Sequence, residues 1–222
     1  MAQNHEGSAM NVIDMLNTTV FTIGNQPLTA VEVLGFVTGA LCVWAVTRQL
    51  RWNWPIGIAN NVVFIVLFLG AGLYADTALQ VIFAVLGLYG WWMWRRAASA
   101  SDLPVRRVTP IEAVAGGLAT AAGTVAVALL LHSQTDSTVP WPDAFILAAS
   151  LLATWGQARK IIEQWWVWIV VDIVSIPLYV HKGLWLTAIL YAGFLCLCID
   201  GLRRWRRDLA AQAGTPDVVV VG

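Results

Sequence analysis

Seven apolar stretches follow one another along the chain, and polar or basic segments separate them. Their approximate bounds are 30–48, 54–70, 74–94, 110–131, 143–160, 164–181 and 184–204. Each has roughly 17–22 residues, which is about what an α-helix needs to cross a hydrocarbon core of about 30 Å. The pattern therefore predicts an all-α integral membrane protein with seven transmembrane helices.

Polar residues mark where some of these helices begin. Thr29 with Glu32, and Thr109 with Glu112, have the spacing of a capping box, in which both side chains satisfy the first backbone N–H groups of a helix. The N-terminal segment 1–29 is expected to be extracellular, with a short interfacial helix at residues 11–21. The first residues lack Lys and Arg, and no early apolar run is followed by a cleavage site, so no signal peptide is expected.

Composition agrees with a membrane protein and argues against several other classes. Of the 222 residues 59% are hydrophobic and 12% are charged, whereas about a quarter of an average soluble domain is charged. The net charge is zero, which gives no reason to expect a nucleic acid partner. The sequence has no G-x-S-x-G, H-E-x-x-H or P-loop motif, and its Cys and His lack metal-ligand spacing. We expect neither an enzyme nor a bound cofactor or metal.

The basic residues predict an orientation. They occupy every second connection and the region after the last span, at 48/51, 95/96/106/107, 159/160 and 203–207, whereas the alternate connections hold only Lys182 among them. Cytoplasmic loops carry the excess of Lys and Arg. We therefore expect the N-terminus outside and the C-terminus in the cytoplasm, in a multi-pass protein of the inner (cytoplasmic) membrane.

An internal repeat appears when each residue is compared with the one 111 positions later. Tryptophan matches tryptophan at 44/155 and 54/165, glycine matches glycine at 72/183 and 90/201, and Trp-Arg-Arg recurs at 94–96 and 205–207. Equivalent helices are four apart, an even number, so the two repeats share one orientation in the membrane. The predicted parts are a first three-helix repeat (30–96), a cytoplasmic linker with a linker helix (97–132), a second three-helix repeat (141–207) and a cytoplasmic tail (208–222).

This SWEET-like 3+1+3 plan predicts a transporter whose substrate binds between the repeats near mid-membrane. Polar groups at membrane depth are costly unless they face a cavity or a partner. Trp165, Trp168, Asp172 and Ser175 lie 3, 4 and 3 residues apart, on one helical stripe. The candidate substrate-binding residues are Asn60, Asn61, Gln80, Trp91, Gln157, Trp165, Trp168, Asp172, Ser175 and Tyr191.

Alternative roles remain open for these residues. Asp172 would favour a cationic substrate if it faces the cavity, because nearby indoles attract desolvated cations by about 2 kcal/mol. It would instead be structural if it bonds to a neighbouring helix or is protonated. Asn60, Asn61 and Gln80 could equally hydrogen-bond between helices. Asp76, at the start of the third span, is expected to be a cap or turn residue.

At these residues the chain resembles the PnuC family of vitamin-precursor transporters. The matching stretches are 54–57, 73–76 with 79–80, 89–91, and 158–163 with Trp165, Trp168 and Asp172. The resemblance implies a seven-helix facilitator for nicotinamide riboside, with thiamine or riboflavin as substrates of related members. It also implies facilitated diffusion, with a cytoplasmic kinase that traps the substrate by phosphorylation.

One position departs from that pattern. The chain has Asp172 where nicotinamide riboside members have Asn in the Trp-x-x-Trp-x-x-x-Asn stripe. An acidic residue is compatible with the cationic nicotinamide riboside and equally with thiamine, and it gives less reason to expect neutral riboflavin.

The first hypothesis is thus a nicotinamide riboside facilitator in the lipid bilayer. Trp165 and Trp168 would stack on the ring, the amides would bind the carboxamide or ribose, and Asp172 would offset the positive charge. The two bundles would rock, with flexing of the linker after the third span. The alternatives are a thiamine or flavin carrier, and a proton-coupled carrier or membrane sensor in which Asp172 titrates. A homo-oligomer is compatible with this plan, and no motif sets the number of copies.

Overall fold

The computed structural model describes residues 18–23, 26–70, 74–96, 103–135 and 138–213, and in these ranges it is helical apart from one β-hairpin. Strands β1 (Thr19–Ile23) and β2 (Gln26–Thr29) pair antiparallel. The helices are α1 (Ala30–Thr47), α2 (Asn53–Gly70), α3 (Tyr74–Arg96), α4 (Pro110–Gln134), α5 (Pro140–Ala158), α6 (Gln164–His181) and α7 (Trp185–Ala213). Each helix overlaps one predicted span.

The hairpin corrects the expected interfacial helix at residues 11–21. Residues 19–21 of that segment belong to β1, and 11–17 lie outside the described residues. Thr, Val, Phe and Ile fill β1, and β-branched and aromatic residues favour strands over helices. Of the two predicted capping boxes, the one at Thr109 is confirmed in both directions, with Pro110 in the first turn. The other needs the Glu32 side chain, which lies outside the description.

The last helix is longer than predicted. It continues to Ala213, so the first part of the segment expected to be a tail, 208–213, is helical. Leu, Ala and Gln make up most of this stretch, and all three are good helix formers. Residues 214–222 lie outside the described ranges.

Four helices of the described chain are long and apolar enough to cross a membrane, and all of them lie in or after the third predicted span. The four ranges are Asp76–Arg96, Pro110–Gln134, Gln164–His181 and Trp185–Ala213. Two shorter apolar helices are Val33–Thr47 and Asn53–Leu69. Helix α5 is in neither group, but it packs against α3, α4 and α6, so protein rather than lipid surrounds much of it.

Six helices form a ring. Within the first bundle, α1 contacts α2 and α2 contacts α3; within the second bundle, α5 contacts α6 and α6 contacts α7. The ring is closed by α3 against α5 and by α7 against α1. Helix α4 packs on the outside of α5, where Gly116 faces Leu152 and Gly123 faces Ala148. These small residues allow the close helix approach that the Gly- and Ala-rich sequence of α4 predicts.

The 111-residue offset recurs in the helix bounds. Adding 111 to the first and last residues of α2 gives those of α6, and adding 111 to the first residue of α3 gives that of α7. The packing repeats as well. The rings of Trp54 and Trp94 meet edge to face with centroids 5.7 Å apart, and the equivalent Trp165 and Trp205 rings meet at 5.5 Å.

A glycine makes room for each of the two inner indoles. Gly90 lies under the Trp54 ring and Gly201 under the Trp165 ring, so closely that a Cβ at either position would collide with the ring. Overpacking a core in this way costs about 1–3 kcal/mol. The two glycines are therefore needed for close packing between α2 and α3 and between α6 and α7.

We expect Gly201→Ala to lower the unfolding free energy by about 1–3 kcal/mol through this collision. Gly193→Ala is the matched control, because Gly193 lies on the same helix with no atom close enough for a new Cβ to touch. It should be neutral or slightly stabilising, since alanine is the better helix former. Denaturation of the two purified variants measures the difference, and equal stabilities would contradict this role of Gly201.

The linker before α4 is attached to the second bundle. Arg106 forms a parallel β-bridge with Ile161, and its guanidinium binds both carboxylate oxygens of Glu112 at 2.7 and 2.8 Å. The hydrogen bond to Glu112 raises the pKa of Arg106, so this cation stays charged. Glu163 accepts from the backbone N–H of Val108 at 2.8 Å. These bonds hold residues 106–108 to the second bundle in this conformation. The flexing of the linker stays a prediction, and residues 97–102 lie outside the description.

Candidate transport cavity

The six helices of the ring enclose a cavity of about 680 Å³, and each of them contributes to its wall. The wall combines aromatic rings, carboxamides and three carboxylates, with no Lys, Arg or His side chain among the described residues that line it. A cavity of this size, mostly apolar with a few polar groups, is typical of small-molecule sites.

Eight of the ten candidate residues lie on this wall. They are Asn60, Asn61, Gln80, Gln157, Trp165, Trp168, Asp172 and Tyr191. The other two lie elsewhere. Trp91 packs against the core, with the Arg95 guanidinium 5.0 Å from its ring centroid. Ser175 is completely buried, and its hydroxyl has no hydrogen-bond partner.

Asp172 lies on α6 in the wall of the cavity. Its side chain is only 2% exposed, and Oδ2 has no hydrogen-bond partner. The thiol of Cys198 on α7 is its hydrogen-bonding neighbour. A buried ionised carboxylate is costly without a cation or several donors nearby. The position is therefore suited to a ligand that brings positive charge or N–H groups.

The side-chain amides use some of their hydrogen-bonding groups within the protein and leave others for a ligand. Asn60 donates to the hydroxyl of Thr38 on α1, and Gln157 Nε2 lies 3.4 Å from Asn53 Oδ1. These bonds agree with the helix–helix role that the sequence left open for Asn60. Each carboxamide has two donors and an acceptor, so one such bond leaves groups for a ligand.

Two buried indoles from equivalent positions, at the starts of α2 and α6, line one end of the cavity. Trp54 is 4% and Trp165 is 1% exposed, and both line the cavity. The indole N–H of neither residue has a hydrogen-bond partner. Trp54 was not among the candidate residues, although the repeat makes it the equivalent of Trp165 and could have identified it. We call this end the arginine-rich end, because the loops after α1 and α5 and the last turn of α3 carry its arginines.

The opposite end carries two carboxylates that were not among the candidates. Asp76 lies in the first turn of α3, where a cap or turn residue is expected, and it also lines the cavity. Asp143, at the start of α5, also lines it and binds the Lys182 ammonium at 3.0 Å. Both residues begin helices, and from sequence alone such positions look like caps. Their shared place at one mouth follows only from the ring of helices.

Metal binding has no support in the described part of the chain. No group of three or more His, Cys, Asp or Glu side chains is close enough there to hold an ion. The chemistry of this cavity is therefore that of aromatic contact, hydrogen bonding and negative charge.

Known proteins resemble this chain over most of its length. A family model described as nicotinamide mononucleotide transporter matches residues 29–207. The riboflavin/roseoflavin transporter RibM of Streptomyces davaonensis is 32% identical over 88% of this chain and 95% of its own length. The nicotinamide riboside transporter PnuC of Escherichia coli is 24% identical over 82% of this chain and 87% of its own length.

A solved structure agrees in fold. The crystal structure of the vitamin B3 transporter PnuC superposes with a TM-score of 0.63, covers 82% of both chains and is 22% identical in sequence. At this identity the likeness concerns the fold alone. The helical ring, the apolar spans and the family match lead to one conclusion: the chain belongs to the nicotinamide mononucleotide transporter family, whose relatives include PnuC transporters, and it is a multi-pass membrane transporter.

Proposed function

We propose that this transporter carries an unphosphorylated vitamin precursor, with nicotinamide riboside as the first candidate. The observation that carries the proposal is the cavity wall, which places Asp172 beside tryptophans and has no basic side chain among its described residues. Charge therefore selects the substrate as much as shape does.

Negative charge in the cavity argues against phosphorylated substrates. Asp76, Asp143 and Asp172 all contribute to the wall, and only Asp143 has a cationic partner, Lys182, in a described ion pair. Like charges repel strongly where the dielectric is low, as at the buried Asp172, and less at Asp76, which is exposed and screened by solvent. A phosphate ester would meet carboxylates and, among the described wall residues, no arginine or lysine. The riboside therefore fits this wall better than the mononucleotide.

The pyridinium ring of nicotinamide riboside supplies what the wall lacks. Its positive charge would offset the buried carboxylate of Asp172, and its ring would lie against the indole of Trp168. Asn61 and Gln80, from α2 and α3, would bind the carboxamide or the ribose. Gln157 and Tyr191 face the same cavity from the second bundle and complete the polar set.

Riboflavin is the second candidate, and a specific observation favours it. The riboflavin/roseoflavin transporter of Streptomyces davaonensis shares 32% identity with this chain, against 24% for the nicotinamide riboside transporter of Escherichia coli. Riboflavin carries no net charge, but its imide N–H could donate to Asp172. Thiamine, which is cationic, is the third candidate on the same grounds as the riboside.

Transport in this proposal is facilitated diffusion between two bundles. The bundles α1–α3 and α5–α7 correspond to the repeats of a SWEET-like 3+1+3 plan, with α4 as linker helix, and they would rock about the cavity between them. A cytoplasmic kinase would make uptake net inward. Phosphorylation would trap the substrate because the acidic cavity disfavours the phosphorylated product.

The proposed orientation has the N-terminus outside and the arginine-rich end in the cytoplasm, across the inner membrane. Indole–guanidinium pairs support it. Arg96 lies 4.3 Å from the Trp92 ring centroid and Arg206 lies 5.4 Å from that of Trp166. Tryptophan concentrates at the membrane interface, and arginine concentrates on the cytoplasmic side.

Counterflow in proteoliposomes tests this function. Vesicles loaded with unlabelled nicotinamide riboside should accumulate the labelled compound transiently without an ion gradient, and a protonophore should leave the rate unchanged. Empty vesicles and vesicles loaded with the 5′-phosphate are the controls. Abolition of transport by the protonophore would favour the proton-coupled alternative in which Asp172 titrates. Counterflow with riboflavin alone would replace the first candidate by the second.

A further inference from the structure

Two equivalent residues from the two bundles meet at the arginine-rich end. Gln49 follows α1 and Lys160 follows α5, and they are 111 positions apart, so each is the counterpart of the other. Lys160 Nζ donates to Gln49 Oε1 at 2.9 Å. Counterparts in a two-fold repeat can touch only near the axis that relates them. The contact therefore lies at the centre of the arginine-rich end.

The backbone delivers both side chains to that centre in the same way. Gln49 has a φ of 53° and Lys160 a φ of 50°, in the left-handed region that other residue types than glycine rarely adopt. Each ends its helix with the same pair of bonds: the N–H groups of Gln49 and Leu50 donate to Val46 and Ala45, and those of Lys160 and Ile161 donate to Gln157 and Gly156. Glycine is the usual residue at this position. Gln49 and Lys160 occupy this position in place of glycine, which indicates that the contact between their side chains has a function.

Further bonds join the bundles around this contact. Gln49 Nε2 donates to Asp208 of α7 at 2.6 Å, and the Lys160 ammonium lies 4.9 Å from the Trp94 ring centroid. The indole of Trp94 donates to the Ala158 carbonyl at 3.1 Å, and the equivalent indole of Trp205 donates to the Val46 carbonyl at 3.2 Å. Each of these contacts connects one bundle to the other.

We propose that the Gln49–Lys160 contact, together with Asp208 and the Trp94 and Trp205 bonds, is the gate at the arginine-rich end of the transport path. It closes the cavity there and parts when the bundles rock, so that substrate can leave toward that side. The inference rests on the proposed transport function and extends it by naming residues that control which side of the membrane the cavity faces.

Substitution of Gln49 is the most specific test of the gate. Glycine at this position accepts the left-handed backbone without strain, so Gln49→Gly removes both side-chain bonds and leaves the end of α1 intact. Removal leaves the Lys160 ammonium, which is 5% exposed, without its amide acceptor in the closed state. Burial lowers the pKa of Lys160, because a buried ammonium loses its hydration. The variant should therefore favour opening.

Accessibility of a native thiol reports the opening. Cys42 lines the cavity. Its thiol donates to the carbonyl of Asn53, the first residue of α2, at 3.5 Å, so it lies close to the arginine-rich end. With Cys196 and Cys198 replaced by alanine, a membrane-impermeant maleimide added from the arginine-rich side of oriented proteoliposomes should label Cys42 slowly. Gln49→Gly should raise that rate about tenfold, which corresponds to about 1.4 kcal/mol.

Matched variants make the result decisive. Arg206→Ala is the control, because Arg206 lies at the same end and its guanidinium lies over the Trp166 ring of its own bundle, and it should leave the rate within about twofold. Lys160→Gly should act like Gln49→Gly, and the double variant should raise the labelling rate by less than the product of the two single effects, since both variants lose the shared Gln49–Lys160 contact. Gln49→Leu, which keeps side-chain bulk, should also label faster and serves if the glycine variant is unstable.

Two results would overturn the gate. One is labelling at the parent rate in both Gln49 variants; the other is multiplication of the two single effects in the double variant, which would mean that the residues act separately. The assay needs no substrate, so it is independent of the substrate assignment. Faster labelling in a protein that binds no vitamin would overturn the proposed function and leave the gate standing.

Discussion

Asp172→Asn should weaken the binding of nicotinamide riboside by about 2 kcal/mol, roughly thirtyfold in Kd, because it removes the charge and keeps the shape of the side chain. The carboxylate is almost fully buried in the cavity wall, and its Oδ2 has no partner within the protein. A cationic ligand would therefore gain more from it than a neutral one. Riboflavin affinity should change less, because asparagine still accepts a hydrogen bond.

Equilibrium binding of both vitamins to purified parent and variant protein measures this difference. Asp76→Asn is the matched control, since Asp76 is an exposed carboxylate at the mouth of the same cavity and is well screened by solvent. It should change the Kd of nicotinamide riboside by less than about threefold. If Asp172→Asn binds the riboside as tightly as the parent does, the carboxylate is structural and the charge argument fails.

Trp165→Ala should lower the unfolding free energy by about 3–5 kcal/mol, the usual cost of deleting a large aromatic side chain from a core. Trp165 lies in the space left by Gly201, edge to face with Trp205, and 1% of it is exposed. Trp168 lines the same cavity but is only partly buried. Trp168→Ala should therefore act mainly on substrate affinity, at about 1–3 kcal/mol for the lost stacking and cation contact.

Chemical denaturation and substrate binding, both measured on both variants, separate the two roles. Trp165→Ala should lose more stability than Trp168→Ala. Relative to its stability loss, Trp168→Ala should lose more substrate affinity than Trp165→Ala. Equal stability losses would mean that the packing around Trp165 does not differ from that around Trp168. An unchanged affinity in Trp168→Ala would remove this indole from the proposed site.

The helices could be predicted from sequence because two periodic signals agree. Long apolar runs set their number, and matching Trp, Arg and Gly residues at one offset set their equivalence. The structure repeats that offset in the bounds of α2 and α6 and in the packing of Trp54 on Gly90 and Trp165 on Gly201. Few other residue types fit the tight contacts between these indoles and glycines. Such positions therefore make the repeat visible in the sequence.

Other features depended on information that local sequence does not contain. The strand Thr19–Ile23 has only five residues, which is too short for the period of its apolar residues to distinguish a strand from a helix. Trp91 and Ser175 share a sequence face with wall residues, yet neither lines the cavity, because Trp91 packs against the core and Ser175 is completely buried. Asp76 and Asp143 come together only because six helices close into a ring. The contact of Gln49 with Lys160 likewise follows from the axis between the repeats.

The most direct test of the central claim is the binding of two ligands that differ by one phosphate. Titration of the purified protein with nicotinamide riboside and with its 5′-phosphate compares them in the same cavity. Three carboxylates and no basic side chain among the described wall residues predict measurable binding of the riboside and at least about a hundredfold weaker binding of the phosphate ester. Binding of the phosphate ester as tight as that of the riboside would contradict the account.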